Sequence, residues 1–401
     1  MDAVGTVREL LKLEEHRLEN DPFVAHLEAM RKLLASASQS PRAVRVMMGN
    51  QAADLDSIVS STVHAYAEQS SNSVRADVQC VPVMNVSAAE VRLRTEATFL
   101  FSLLGLDLAS VTSTIDQFDL AGLKAQDRME LVLVDHNVCA PQQSDFEACV
   151  VGVIDHHVDE CSAAMGVDGL EYLIVEPVGS CATLVYERLL QSQAAVSSIR
   201  LQLLILATIL LDTANMDPSV GRATTKDSHV VDMLSHQLAS KMGWSQVETA
   251  QFKDGLFAQV VRAKNNKSGL SRAELLMSDY KQYVMGSRSV GICSVLEPLT
   301  CFSEKDVLDF YNLKAPLDLV LVMASFKDTG GAFRRQLALF SFEDKELARI
   351  LHANLAQSEH LILAPLETPM ETEHGIYLEQ RNLKLSRKIL QPILQRVLET
   401  M

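Results

Sequence analysis

Four short clusters of acidic, amide and imidazole side chains stand out in the sequence, because each of them directly follows a run of apolar residues. Oxygen ligands combined with one or two imidazoles suit Mg²⁺, Mn²⁺ or Co²⁺, whereas structural zinc sites are usually rich in thiolates. We therefore predict a divalent-metal site. In chain order, its predicted members are Asn50, Asp54, Asp56, Asp135, His156, His157 and Asp212.

The clusters follow predicted strands or other buried elements. Short β-rich runs such as AVRVMM, ELVLV and CVVGVI alternate with helical stretches between Ala43 and Leu190, a pattern typical of a mostly parallel sheet flanked by helices. In such a sheet the carboxyl ends of the strands lie at one edge, and ligands bind there. The two Asp-His pairs that begin at Asp135 and Asp155 each end a predicted strand, so we expect them to lie close together.

Each cluster taken alone also has an ordinary structural explanation. A D-x-D pair such as Asp54 and Asp56 often caps a helix, and a lone Asp212 would suit a capped helix terminus. We interpret His136 as a support that orients its neighbours, and Asp155 fits that role equally well. Four such clusters in one chain favour the functional explanation.

Length and composition predict a compact α/β protein of two domains. The chain has 401 residues, of which 48% are hydrophobic and 22% charged, and a domain usually spans about 100 to 200 residues. Helical periodicity predicts an N-terminal helical extension over residues 1–42, before a parallel-sheet metal-binding domain over 43–240. A polar stretch at 234–249 is the predicted linker to a smaller α/β domain over 250–401. The strands predicted there span 290–296, 317–326 and 334–342, and the helices span 304–313 and 345–357.

Net charge and cysteine content narrow the class of protein. The formal net charge of −15 disfavours binding to nucleic acid, because affinity for such polymers rests on Lys and Arg. Seven cysteines without a C-x-x-C pair are expected to be reduced thiols. The longest apolar run, Leu201–Leu211, is shorter than the roughly 20 residues that span a bilayer, and the acidic N-terminal segment does not resemble a targeting peptide. We expect a cytoplasmic protein with no membrane anchor.

The ordered set GNxxxDxDS, DHN, DHH and a later LDT resembles the DHH phosphoesterase superfamily. The similarity is greatest to the branch of exopolyphosphatases and animal prune proteins, which are related to family II inorganic pyrophosphatases. Segments at 175–189 and 209–227 are similar to segments of that branch, and SDYKQY and KLSRKIL resemble C-terminal phosphate-binding motifs of the superfamily. The resemblance extends from about Val44 to Leu390. It implies a DHH domain, a DHH-associated domain and an active site in the cleft between them.

This resemblance also implies a role for each residue of the site. Two divalent ions would lower the pKa of a shared water and stabilise an in-line displacement at phosphorus. The residues implied to hold the first ion are Asn50, Asp54 and Asp135. Those implied to hold the second are Asp56, Asp135, His156 and Asp212. The cationic groups implied to contact phosphate oxygens are His157, Lys281, Arg387 and Lys388.

Asn50 stands where family II pyrophosphatases carry a histidine, whereas exopolyphosphatases and prune proteins resemble this chain in carrying asparagine. An amide oxygen is a poorer ligand than imidazole for transition metals, so the first ion should be held more weakly. We therefore predict a short-chain exopolyphosphatase. The alternatives are a cyclic-nucleotide (cAMP) phosphodiesterase that uses the same site, a regulatory protein that binds a nucleoside diphosphate kinase, and a superfamily member that acts on DNA or RNA ends.

Overall fold

The computed structural model divides the chain into two compact units. Unit 1 is Met1–Asn266 and unit 2 is Lys267–Met401. Both combine strands and helices, as the predicted α/β class requires. Parts of the predicted N-terminal extension, residues 15–20 and 35–41, lie outside the described residues. The residues that the structure describes are 2–14, 21–34, 42–71, 75, 77–161, 169–192, 194–314, 316–357, 361–366, 370 and 372–400.

Unit 1 contains a six-stranded sheet in the order β3-β2-β1-β4-β5-β6, and every neighbouring pair in it is parallel. The predicted parallel sheet is therefore confirmed. Its central strands are buried on both faces, which explains why they appear in the sequence as continuous apolar runs. The strands are β1 (Ala43–Met48), β2 (Val78–Met84), β3 (Ser113–Thr114), β4 (Met129–Val134), β5 (Val150–Asp155) and β6 (Tyr172–Val175).

Helices cover this sheet, together with 3₁₀ turns at Ala88–Leu93 and Pro141–Cys149. The apolar run at 201–211 forms a helix in which every residue from Ile199 to Leu210 is buried. Among the described residues, no helix is long and apolar enough to cross a membrane. The helices are α1 (Ala3–Glu14), α2 (Pro22–Leu34), α3 (Leu55–Gln69), α4 (Thr95–Leu103), α5 (Leu108–Val111), α6 (Leu120–Ala125), α7 (Cys181–Gln191), α8 (Ile199–Asp212), α9 (Thr225–Met242) and α10 (Gln246–Asn265).

Two predicted boundaries differ from the structure. Helices α1 and α2 belong to unit 1, because Val7 and Phe23 are fully buried in its core, rather than forming a separate extension. The predicted linker at 234–249 is mostly helical, because α9 continues to Met242 and α10 begins at Gln246. Each of these helices buries a narrow apolar stripe that includes Leu234 in α9 and Phe252 in α10. The polar residues on their exposed faces make this stripe difficult to recognise in the sequence. Unit 1 therefore extends to Asn266.

Unit 2 contains a second six-stranded sheet, in the order β11-β12-β10-β9-β8-β7. Only the β8–β9 pair is parallel, so this sheet is mixed. The three strands predicted here are present. Edge strand β7 was not predicted, because its exposed polar residues interrupt the apolar pattern, and neither β11 nor β12 was predicted. The strands are β7 (Tyr280–Met285), β8 (Arg288–Val295), β9 (Leu319–Lys327), β10 (Phe333–Phe340), β11 (Leu363–Pro365) and β12 (Gly375–Gln380). The helices are α11 (Arg272–Met277), α12 (Glu304–Lys314), α13 (Lys345–Leu355) and α14 (Arg387–Thr400).

A charged side chain lies inside unit 1, in the middle of β1. The side chains of Arg45 and Glu68 are each 3% exposed and form an ion pair at 3.0 Å. Arg45 also contacts Glu130 and Glu171 at 2.7 Å. Removing one member of such a network leaves buried charge without compensation, which is costly.

Arg45→Ala should therefore lower the free energy of unfolding of unit 1 by about 3 kcal/mol. The exposed Arg75, which also contacts Glu130 at 3.3 Å with 65% of its side chain exposed, is the matched control, and Arg75→Ala should cost less than about 1 kcal/mol. Denaturant unfolding followed by the fluorescence of Trp244, the single tryptophan, reports on unit 1, because this ring packs against Phe252. Equal losses for the two variants would contradict the prediction.

Candidate metal centre

The predicted ligands come together at one edge of the parallel sheet. Asn50 follows β1, Asp135 follows β4 and Asp155 ends β5, and these three strands are neighbours. Two carboxylates come from helices: Asp56 lies in the first turn of α3, and Asp212 is the last residue of α8. Strand ends and helix termini thus carry the site, as expected for an open parallel sheet.

The Asp56 carboxylate is buried and is held by the first turn of α7. Its Oδ2 accepts a hydrogen bond from the backbone N–H of Cys181 (2.7 Å), and its Oδ1 accepts one from Ala182 (2.9 Å). Ser60 Oγ donates a third, at 2.9 Å. A helix N-terminus favours negative charge, so this carboxylate has a fixed orientation. Asp54 instead caps α3 by accepting a hydrogen bond from Ser57 N at 3.2 Å.

Asp135 and the two histidines form the tightest group. Asp135 Oδ1 lies 3.2 Å from His156 Nε2 and 3.8 Å from His157 Nδ1, and His156 Nε2 lies 3.8 Å from Asp56 Oδ2. Within the described part of the chain, Asp135, His156 and His157 are the group whose ligand atoms lie close enough together to hold one metal ion. The strand ends therefore converge as the sequence predicts.

The two histidines have different supports. His156 Nδ1 lies 2.9 Å from the main-chain oxygen of Val178, so Nδ1 carries the proton and Nε2 is free to bind a metal. His157 Nδ1 lies 2.8 Å from Asp155 Oδ1. Asp155 is fully buried and also accepts a hydrogen bond from Asn137 Nδ2. Asp155 thus supports the histidine pair.

The site concentrates negative charge that the protein alone does not neutralise. Burial and the neighbouring Asp56 raise the pKa of Asp135 to about 8. Burial also raises the pKa of Asp56, and it raises that of Asp212 well above its usual range, with Asp56 adding to the effect. Two buried oxygens, Asp135 Oδ1 and Asp212 Oδ2, accept no hydrogen bond. Buried carboxylates with open acceptor positions and one available imidazole fit a hard divalent cation.

Backbone strain is also concentrated at this edge of the sheet. Asp135 has φ +62°, and Ala53 has φ +44°. Directly after Asp212, the residues Ala214, Asn215 and Met216 have φ values of +52°, +61° and +62°. Residues other than glycine adopt this left-handed region at a cost of about 1–2 kcal/mol each, and such strain often accompanies functional sites.

Asn50 differs from the role predicted for it. Its Oδ1 accepts hydrogen bonds from the backbone N–H groups of Ala52 (2.9 Å) and Ala53 (3.1 Å), so the amide oxygen is already occupied. Its Nδ2 donates to Asp135 Oδ2 at 2.8 Å. The short turn after β1 imposes this orientation, because it leaves two backbone N–H groups in need of an acceptor. Asn50 therefore contacts the carboxylate of Asp135 through its amide nitrogen.

The three cationic residues predicted from the C-terminal motifs all lie in unit 2. Arg387 and Lys388 line a cavity of about 530 Å³. Arg387 is oriented by Asp279, since Nη2 donates to Asp279 Oδ1 (2.7 Å) and Nη1 donates to its main-chain oxygen (2.9 Å). Lys281 is exposed on β7 and is not among the residues that line this cavity. The structure thus brings together two of the three.

Sequence reasoning missed several supporting groups. The main-chain groups of Val178, Cys181 and Ala182 give no signal, because every residue type except proline offers the same backbone donor and acceptor. Asn137 and Asp279 lie within the motifs DHN and SDYKQY, and their positions there were the available signal. Asn137 holds Asp155, which supports the histidine pair, and Asp279 holds Arg387.

Comparison with known proteins agrees with this architecture. Residues 45–210 match the model of the DHH family, N-terminal domain, and residues 258–397 match that of the DHHA2 domain. The chain is 31% identical to exopolyphosphatase PRUNE1 of Bos taurus over 383 residues, covering 90% of this chain and 77% of that protein. It is 29% identical to a putative exopolyphosphatase of Schizosaccharomyces pombe over 388 residues, covering 92% of this chain and 94% of that protein.

Two further similarities are to inorganic pyrophosphatases. A probable manganese-dependent inorganic pyrophosphatase of Streptococcus pyogenes is 25% identical over 256 residues, covering 62% of this chain and 70% of that protein. The crystal structure of a putative family II inorganic pyrophosphatase of Methanococcus jannaschii has a TM-score of 0.43 and 20% identity, covering 88% of this chain and 98% of that one. From its two matched domains and its animal relatives, the chain belongs to the DHH family, in the branch of the prune exopolyphosphatases.

Proposed function

We propose that this protein is a metal-dependent phosphohydrolase that releases phosphate from short polyphosphates, using two divalent ions, either Mn²⁺ or Mg²⁺. One observation carries the proposal: buried carboxylates with open acceptor positions converge on His156 at the carboxyl edge of the sheet. The relatives named exopolyphosphatase and manganese-dependent pyrophosphatase support the same reaction class.

The residues present would divide the metal-binding role between them. Asp135 would bridge the two ions, with Asp54 beside the first ion and Asn50 keeping the bridging carboxylate in place. Two bound divalent ions supply an activated water and neutralise charge on the phosphate. Because ligands must be deprotonated to bind a metal, the raised pKa of Asp135 makes binding of the ions dependent on pH. The residues that would hold the second ion are Asp56, Asp135, His156 and Asp212.

His157 suits a contact to the substrate. Its hydrogen bond to Asp155 raises the pKa of the imidazole, and 58% of its side chain is exposed. With Nδ1 directed at Asp155, a protonated ring keeps its Nε2–H available as a donor. A cationic donor of this kind stabilises the spread negative charge of a phosphoryl group in transfer. His157 would therefore act on phosphate oxygen rather than on a metal.

Phosphate release from tripolyphosphate tests the proposal. The EDTA-treated protein should be inactive and should regain activity with Mn²⁺ or Mg²⁺. Pyrophosphate, long-chain polyphosphate and cAMP belong in the same panel, because cAMP hydrolysis was the alternative predicted from the sequence. Faster hydrolysis of cAMP than of tripolyphosphate would replace the proposal with a phosphodiesterase, and no release from any substrate with either metal would sink it. The suggested binding of a nucleoside diphosphate kinase stays a prediction.

Arg387→Lys tests the predicted phosphate contact in unit 2. Lysine cannot reproduce the planar fork of arginine, so we expect the KM for tripolyphosphate to rise about tenfold while Mn²⁺ affinity stays unchanged. The exposed Arg349, which pairs with Glu346 in α13, is the matched control, and Arg349→Lys should leave KM unchanged. Steady-state kinetics and calorimetry measure the two quantities. An unchanged KM for Arg387→Lys would remove this residue from the site.

Asn50→His tests the prediction that the first ion is bound weakly because residue 50 is an asparagine. Imidazole binds transition metals better than an amide does, so Mn²⁺ affinity should rise about tenfold and pyrophosphate should become a better substrate relative to tripolyphosphate. The variant also loses the acceptor for Ala52 N and Ala53 N, which should lower the stability of the metal-free protein by about 1 kcal/mol. Mn²⁺ titration and thermal unfolding measure both effects. Unchanged Mn²⁺ affinity would show that Asn50 does not limit metal binding.

A further inference from the structure

The main chain of residues 178–182 holds two of the predicted metal ligands. The oxygen of Val178 lies 2.9 Å from His156 Nδ1. The N–H groups of Cys181 and Ala182 donate to the two carboxylate oxygens of Asp56. These contacts involve no side chain of the segment, so the orientation of both ligands depends on where the backbone lies. We call these residues the 178–182 segment. A residue that holds this segment in place also positions Asp56 and His156.

One carboxylate, from the first turn of α9, holds this stretch of chain at two points. Asp227 Oδ2 accepts a hydrogen bond from Gly179 N at 2.8 Å, and Asp227 Oδ1 accepts one from Thr183 Oγ1 at 2.6 Å. Thr224 donates two more to Asp227 Oδ2, from its N–H (2.7 Å) and its hydroxyl (2.6 Å). These four hydrogen bonds fill the usual acceptor capacity of a carboxylate. Asp227 is fully buried, so its position is fixed.

The backbone at Gly179 is closely surrounded by other residues of unit 1. A Cβ atom at Gly179 would lie 2.6 Å from Thr213 Cγ2, 2.9 Å from Asp227 Oδ2 and 3.0 Å from the main-chain oxygen of Arg222. Only glycine therefore fits between Asp227 and the residue that follows Asp212. Gly179 thus lies in the segment whose main chain holds Asp56 and His156, and it packs against Thr213, the residue next to Asp212.

We propose that Asp227 is a positioning residue for the metal centre, which it serves by holding the 178–182 segment in place; this inference rests on the metal site proposed above. Groups behind the ligands fix ligand orientation, and their loss typically lowers metal affinity about 10- to 100-fold. A merely structural role would instead lower stability and leave metal affinity unchanged. The two roles therefore differ in a measurable quantity other than activity.

Asp21 provides a matched control in the same unit. It is also buried, begins a helix by accepting hydrogen bonds from Phe23 N (3.0 Å) and Val24 N (3.4 Å), and accepts a hydroxyl hydrogen bond from Ser198 (2.9 Å). Ser198 caps the start of α8, whose 14 residues end at Asp212, so Asp21 lies about 20 Å from the metal centre along this helix. Like Asp227, it is a buried carboxylate that accepts backbone and hydroxyl hydrogen bonds at the start of a helix, but it lies elsewhere in the unit and also pairs with Arg200 at 3.6 Å.

The experiment compares Asp227→Asn with Asp21→Asn in the full chain. After EDTA treatment, thermal unfolding measures the stability of the metal-free protein, and calorimetric titration with Mn²⁺ measures metal affinity. We expect both variants to unfold at lower temperature than the wild type. We expect Mn²⁺ affinity to fall about 10- to 100-fold for Asp227→Asn only. Thr183→Val, which removes one of the two anchors, should weaken Mn²⁺ binding in the same direction, whereas Ser198→Ala should not.

The outcomes separate this inference from the metal site itself. Wild-type Mn²⁺ affinity in both Asp227→Asn and Thr183→Val would overturn the positioning role while leaving the metal site intact. Absence of Mn²⁺ binding by the wild type would overturn the metal site and the inference together. Should Asp227→Asn fail to fold, Thr183→Val against Ser198→Ala decides: weaker Mn²⁺ binding in the first alone supports the role, and equal binding in both overturns it.

Discussion

Asp135→Asn is expected to lower Mn²⁺-dependent release of phosphate from tripolyphosphate by about a thousandfold or more. Asp135 Oδ1 lies 3.2 Å from His156 Nε2 and 3.8 Å from His157 Nδ1. Asparagine keeps the shape of the side chain but loses the charge that a bridging ligand needs. Stabilisation of transition-state charge by bound metal is worth several kcal/mol, which sets the size of the effect.

The same substitution should make the metal-free protein more stable. Burial and Asp56 raise the pKa of Asp135 to about 8, so at pH 9 the folded protein contains a charged carboxylate in an unfavourable environment. A neutral amide removes this penalty, and we expect a gain on the order of 1 kcal/mol. Thermal unfolding at pH 9 in EDTA measures it. Opposite signs for activity and stability distinguish loss of a functional group from general damage to the fold.

Asp119→Asn serves as the control for both measurements. Asp119 caps α6 through a hydrogen bond from Gly122 N at 2.8 Å and is exposed, so its loss should change neither phosphate release nor stability by a comparable amount. Phosphate release by Asp135→Asn within tenfold of the wild type would contradict the bridging role. Loss of stability in Asp135→Asn would contradict the electrostatic argument.

The stability of the metal-free protein is expected to fall as the pH rises from about 6.5 to about 10. Below this range, the lowered pKa values of the buried His26 and His64 act in the opposite direction. The pKa of Asp135 is raised to about 8, with shifts in the same direction at Asp56 and Asp212. Burial alone would lower the pKa of His156, but Asp135 and Asp56 outweigh it and raise the value to about 10. The folded state thus binds these protons more tightly than the unfolded chain does. Their contribution is complete below the unfolded pKa and is lost as the pH passes the folded pKa.

The pH range of this loss in stability follows from the pKa shifts of the individual groups. Asp135 contributes to the loss between its ordinary pKa of 3.8 and about 8, and His156 contributes between its ordinary pKa of 6.5 and about 10. A total of a few kcal/mol corresponds to a fall in Tm on the order of 5 °C or more. Mn²⁺ should reverse the trend, because metal binding strengthens as its ligands lose their protons.

Thermal unfolding from pH 5 to pH 9, with EDTA and with Mn²⁺, measures both parts of this prediction. The rise in Tm that Mn²⁺ produces should grow with pH. Mg²⁺ provides a second test of ligand type, since oxygen-rich sites accept it and soft thiolate sites do not. A Tm in EDTA that rises between pH 6 and pH 9, or a Mn²⁺ effect that shrinks over this range, would contradict the proposed electrostatics of the centre.

Part of the site could be predicted from sequence because its signals are local. Apolar runs that end in Asp135 and Asp155 predict buried strands, and parallel strands present their carboxyl ends at one edge. The residues on β1, β4 and β5 therefore had to meet, whatever the details of packing. The boundary between the units was harder to predict, because α9 and α10 bury only a narrow stripe and expose polar residues around it.

The sequence by itself determined the parallel sheet, the set of acidic and imidazole groups and the family, because residue type and periodicity are sufficient for these. Only the tertiary structure decided that the amide nitrogen of Asn50 faces Asp135 and that Asp155 supports His157. It also decided that backbone groups at 178–182 hold Asp56 and His156. The physical reason is that backbone donors and acceptors are nearly identical in every residue, so their partners depend on where distant segments meet and not on which residues supply them.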